Sequence, residues 1–104
     1  MIMLLFTTKW LSTIFTNYKG DADSHTEIET VVTDSRLKVK QSLFIPLIGD
    51  QFDGHQFVEH ALSNGAVAIL WQEDKELPGN IPEHVPTFFV KDTLKALQHL
   101  AALY

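Results

Sequence analysis

The chain of 104 residues contains no cysteine. That excludes disulfides, thiolate zinc sites and cysteine nucleophiles. Arginine is almost missing as well, since Arg36 is the only one. Lys and Arg together number 8 against 13 Asp and Glu, a formal net charge of −5. An acidic surface repels nucleic-acid backbones and anionic membranes, so no nucleic-acid partner is expected. No apolar run approaches the roughly 20 residues of a membrane span, so no membrane insertion is expected. The apolar start, Met1 to Phe6, has no basic residues ahead of it, meets Lys9 soon after, and is followed by no small-residue cleavage site. The expectation is of no secretory signal and, with no cysteine, a cytoplasmic location.

Catalytic signatures are equally sparse. None of the five glycines is followed by Lys and then Ser or Thr, so there is no P-loop of the form G-x-x-x-x-G-K-[ST]. His55 and His60 are five apart and fall on different faces of a helix. His25 and His84 fall in loops and His99 on a helix surface, so no metal site is expected. No Ser–His–Asp order has independent support.

What is present is an ordinary globular balance, 45% hydrophobic and 20% charged, in a length that suits one domain. Leu4, Leu11, Ile14, Phe15 and Tyr18, with Trp10 beside them, are spaced for an opening helix from about Leu4 to Tyr18. Thr7, Thr8, Thr13 and Thr16 argue against it, because β-branched side chains lose rotamer freedom in a helix. Gly20 and the polar run to Ser24 read as a loop. Ile28 to Thr33 and Leu43 to Ile48 read as strands, the second constrained by Pro46 to an edge or a bulge.

Phe52 to Gly65 is the clearest helix. Asp53 fits the N-cap with Gln56 three residues on, and Phe52 with Phe57 fits a hydrophobic staple. Phe57, Val58, Ala61 and Leu62 form its buried face, and Asn64-Gly65 ends it. Ala66 to Trp71 is a buried strand, Gln72 to Pro86 a surface loop, and Thr87 to Val90 a further strand. Asp92 caps a last helix with Leu94, Leu97, Leu100, Ala101 and Tyr104 on one face. The fold class is therefore α/β, a small mixed or mostly parallel sheet flanked by helices. The last helix has no stop signal at Tyr104, which leads us to expect a chain cut at a domain boundary.

Two segments could carry chemistry. Thr33-Asp34-Ser35-Arg36 follows a predicted strand, where a hydroxyl and a guanidinium suit a phosphate or another anion. The same residues also suit a plain turn. Gly49 to His55 leads into the main helix. Phe52, Asp53 and Gly54 are explained by capping, whereas Gln51 and His55 are free in sequence terms to face a ligand.

Together these segments carry a resemblance. The run T-D-S-R, then S-L-F-I-P-L-I-G-D-Q-F-D-G-H-Q-F-V, N-G-A-V-A-I-L-W-Q and V-K-D-T-L-K-A-L-Q-H-L-A resembles the amino-terminal domain of the Mur ligases. These are ATP-dependent amide ligases of peptidoglycan stem-peptide assembly. The match covers about Val32 to Tyr104, and residues 1–30 are not diagnostic. Its wording is nearer to the member that adds D-alanyl-D-alanine than to the sister ligase that adds the third stem residue.

The resemblance implies a single UDP-substrate-binding domain over 1–104, ending before a central ATP-binding domain. The implied partners are UDP-MurNAc-tripeptide and the chain's own central and C-terminal domains. ATP and Mg2+ would serve the full-length enzyme, with no cofactor in this part and no ligase activity from it alone. Thr33, Asp34 and Ser35 would line the UDP site, with Ser35 on the diphosphate. Asp50, Gln51 and Phe52 would lie by the uracil, and Arg36, Gly54 and His55 would shape or flank the pocket. Asp50 stands where the D-Ala-D-Ala ligases commonly have glutamate; a carboxylate beside a diphosphate is unfavourable, so its backbone or the uracil edge is the expected contact. The alternatives are the sister ligase's domain and an interaction module that has kept the fold without the nucleotide.

Overall fold

In the computed structural model, residues 2–23 and 25–103 are described, with side chains from residue 6 onward. Six strands form one mixed sheet in the order β1-β3-β4-β5-β6-β2. They are β1 (Ile2–Thr7), β2 (Tyr18–Lys19), β3 (Glu27–Val32), β4 (Ser42–Phe44), β5 (Ala66–Gln72) and β6 (Thr87–Val90). The four central strands, β3 to β6, run parallel, while β1 pairs antiparallel with β3 and β2 antiparallel with β6. The expected α/β architecture is the one observed.

The opening helix is shorter than its spacing suggests. Residues 2–7 are strand β1, and α1 spans only Thr8–Ile14. The threonines decide the boundary: Thr7 has extended backbone and its side chain caps the helix by accepting from the Trp10 amide at 3.1 Å. Tyr18, expected at the helix end, lies in β2. The expected loop Gly20 to Ser24 is observed up to Asp23; Ser24 lies outside the described residues.

Pro46 does not force β4 to an edge. The strand stops at Phe44, two residues before the proline, and so sits between β3 and β5. A proline in the ladder would remove a donor; placed beyond its end, it costs none.

Side chains alternate across the sheet, as a period of two requires. Leu43, Ala68 and Leu70 join a core with Leu11, Phe15, Phe88 and Leu100. Phe44, Ile69 and Trp71 join a second core with Val58, Ala61, Ile81 and Val85. Helices α1 and α3 (Thr93–Leu103) thus cover one face. Helix α2 (Val58–Ser63) and the loop after β5 cover the other.

Asp92 caps α3 by accepting from the Lys95 amide at 3.1 Å. Its buried face differs from the expected one. Thr93, Ala96 and Leu100 are buried with Leu97 against them, while Leu94 and Ala101 are exposed. Those four follow the i, i+3, i+4, i+7 row of one helical face, which Leu94 leaves by about a quarter turn. Tyr104 lies outside the described residues.

Candidate functional site

The site begins at the C-terminal ends of β3 and β4, which are adjacent and parallel. Open α/β sheets gather ligands at this edge. Thr33 to Arg36 leave β3 here. The Arg36 amide donates to Asp34 Oδ1 at 2.9 Å, closing a tight turn of the kind Asp favours. Asn64, at the end of α2, donates its amide to the Ser35 carbonyl at 2.8 Å and fixes that turn from the other side. Gly65 lets the chain leave the helix there. Its φ is +118°, and an added Cβ would lie 2.4 Å from the Val39 carbonyl oxygen.

The segment after β4 doubles back. Ile48 and Asp53 form an antiparallel bridge, and the Gly49 amide donates to the Phe52 carbonyl at 2.6 Å. This tip presents Phe52 with 54% of its surface exposed. Asp53 then caps a 3-10 turn, Gly54–Phe57, which runs into α2. The predicted helix is thus two short pieces, and its cap and staple are present. Phe52 and Phe57 stack at 5.5 Å with their planes 13° apart. Phe57 stacks in turn on His60 at 6.0 Å and 30°.

A cavity of about 500 Å3 lies between these two segments. Thr33, Asp34, Ser35 and Arg36 form one wall, and the stacked Phe52, Phe57 and His60 the other. Its volume is that of an ordinary small-molecule site. On the polar wall, Arg36 donates from Nε to Asp34 Oδ1 at 3.0 Å and from Nη2 to Oδ2 at 2.9 Å. This fork holds the Asp34 carboxyl down at about 2, chiefly through the side-chain bond and then through the Arg36 amide. The same bond raises the Arg36 guanidinium above its ordinary value.

Five of the nine residues singled out from the sequence line this cavity: Thr33, Asp34, Ser35, Arg36 and Phe52. Asp50 and Gln51 are exposed on the tip beside Phe52 but are not among the lining residues. Gly54 and His55 are buried behind it. Gly54 passes so close to the chain at Pro46–Leu47 that a Cβ would meet backbone at 3.0 to 3.1 Å.

His55 faces inward, 4% exposed. Its Nε2 accepts from the Gln72 amide at 3.1 Å, so that nitrogen is unprotonated. Nδ1 therefore carries the proton and donates to Asp53 Oδ1 at 2.6 Å. The ring stands edge-on to Trp71 at 4.5 Å. Asp53 also accepts from the His55 amide at 2.9 Å and pairs with Lys75 at 3.3 Å. His55 is thus a strut joining the helix start to the end of β5.

Sequence reasoning missed two lining residues. Phe57 went to the buried face and His60 was weighed only as a metal ligand. The spacing could have found them: Phe57 and His60 are three apart and share a helix face, which the Phe52 staple already tied to the tip.

Known proteins share this sequence and this fold. The sequence profile described as "Mur ligase family, catalytic domain" matches residues 27–104. A UDP-N-acetylmuramoyl-tripeptide–D-alanyl-D-alanine ligase of Bacillus subtilis is 49% identical over 79 residues, covering 76% of this chain and 17% of the relative. A UDP-N-acetylmuramoyl-L-alanyl-D-glutamate–2,6-diaminopimelate ligase of Listeria innocua is 34% identical over 84 residues, covering 81% of this chain and 16% of the relative. A crystal structure of MurF from Acinetobacter baumannii superposes with a TM-score of 0.74 at 29% identity, over 96% of this chain and 21% of that one. The chain spans less than a fifth of the length of the two curated relatives. With a family profile matched over most of its length and a fold shared with a solved ligase, the chain belongs to the Mur ligase family.

Proposed function

We propose that the cavity between Thr33–Arg36 and Phe52 binds the UDP part of UDP-MurNAc-tripeptide, as the substrate-binding domain of an ATP-dependent ligase that adds D-alanyl-D-alanine. One observation carries the reading: a polar turn and an aromatic wall face each other across about 500 Å3 at the C-terminal edge of two parallel strands. A planar base suits the aromatic wall. A diphosphate suits the hydroxyls and backbone N–H groups of the turn. The D-alanyl-D-alanine assignment, rather than the third-residue one, rests on the higher identity to the first kind of relative.

In this reading the chain binds and does not catalyse. Its residues do not fit ATP or Mg2+, because there is no P-loop and the lone arginine is committed to Asp34. Among the described residues no three His, Asp or Glu side chains cluster as metal ligands. ATP and Mg2+ belong to the rest of the full-length enzyme, as do the contacts with the peptide end. The cytoplasm is the compartment that supplies such a substrate, and no helix among the described residues is long and apolar enough to cross a membrane.

Titration with UDP, followed by amide NMR, tests the reading. Shifts should concentrate at Ser35, Phe52 and Phe57. Unmoved amides at saturating UDP, or shifts confined to the opposite face of the sheet, would refute it.

A further inference from the structure

The polar wall of the cavity has almost no net charge to offer an anion. Arg36 and Asp34 neutralise each other through two side-chain hydrogen bonds. The carboxylate of that pair opposes any phosphate brought near it. The hydroxyls and amides of Thr33 and Ser35 remain on that side, and the opposite wall is two phenyl rings ending in an imidazole.

His60 is the polar end of that wall. It is exposed, and its ring makes no hydrogen bond or ion pair among the described residues, although its face is held by Phe57 at 6.0 Å. Glu59, the nearest acid in the chain, points elsewhere, accepting from the Asn80 side chain. A ring oriented by stacking, with an unspent N–H, is a preorganised donor. Phe57 and Phe52 have no such group, so they can stack a base but cannot distinguish a nucleotide from its nucleoside.

We propose that His60 is a specificity-determining residue that makes this cavity prefer a nucleoside diphosphate to the bare nucleoside, by donating a ring N–H to the diphosphate. The inference rests on the reading of the cavity as a UDP site and assigns that site a group beyond the turn residues. It also divides the labour: the phenyl rings take the base, and His60 faces Ser35 across the anion.

The experiment compares UDP with uridine by calorimetric titration of the unmodified chain, His60→Phe and His60→Gln. His60→Phe keeps a stacked ring and removes the N–H; because His60 is exposed, it should fold, which far-ultraviolet dichroism checks. Its affinity for UDP should fall about tenfold, the worth of one charge-assisted hydrogen bond, while uridine binding holds. His60→Gln keeps a donor and should recover most of the UDP preference. An unchanged UDP-to-uridine ratio in His60→Phe overturns the assignment while leaving the site in place. No UDP binding by the unmodified chain overturns the site and the assignment together.

Discussion

His55 Nε2 accepts the Gln72 backbone N–H at 3.1 Å, so a side chain near the start of the main helix holds the end of a neighbouring strand. This accounts for a buried histidine beside the cavity through its structural contacts alone. Replacing it removes the ring from against Trp71 and leaves the Gln72 amide without an acceptor. His55→Ala should lose about 2–4 kcal/mol of stability. Urea unfolding measures this, and a loss under about 1 kcal/mol would contradict the strut role. The folded fraction should still bind UDP.

The same network predicts acid sensitivity. Burial acts to raise the Asp53 carboxyl, but the His55 amide, the His55 ring and Lys75 outweigh it and hold it below its ordinary value. A carboxyl depressed on folding contributes stability that is present above its unfolded value, about 3.9, and is lost as pH falls through the folded value. Stability should therefore fall below about pH 4, and more shallowly in Asp53→Asn than in the unmodified chain. Asp34, held at about 2, is exposed with its partner, so Asp34→Asn should leave the acid slope nearly unaltered. Equal slopes for Asp53→Asn and the unmodified chain would remove Asp53 from this account.

Gly65 tests the backbone geometry that carries the polar wall. An alanine there meets the Val39 carbonyl oxygen at 2.4 Å in a conformation that L-residues avoid. The neighbour is backbone and cannot swing away. Gly65→Ala should cost about 2–4 kcal/mol and shift the amide of Ser35, whose carbonyl Asn64 holds. A thermal midpoint within a degree or two of the unmodified chain's would be incompatible with this geometry.

Helix α3 gives a paired test of facing. Leu100 is buried and Leu94 half-exposed on the same helix. Leu100→Ala should cost about 2–4 kcal/mol and Leu94→Ala less than about 0.5. Comparable losses from the two would mean that the helix is rotated from the position described.

Phe52 separates binding from folding. It is more than half exposed, so Phe52→Ala should cost less than about 1 kcal/mol of stability. A base stacked on it would lose about tenfold in affinity, at the low end of aromatic–base stacking. Titration with uridine reads this directly, and undiminished uridine binding would take the base away from this wall.

The sequence alone determined the elements whose signals are local. Asp53 and Asn64-Gly65 bracketed the main helix, and the continuous apolar run set β5. Five lining residues were legible because they flank predicted strand ends. Tertiary structure decided what depends on partners distant in the chain. Thr7 ended a strand and began a helix because β1 had β3 to pair with. Leu94 lost its place on α3 because the sheet buried Ala96 and packed against Leu97 instead. His55 and His60 look alike in sequence, each a polar ring near one helix start. Only the position of β5 turned His55 inward to Gln72 and left His60 on the cavity wall, because a side chain's direction is set by what it packs against.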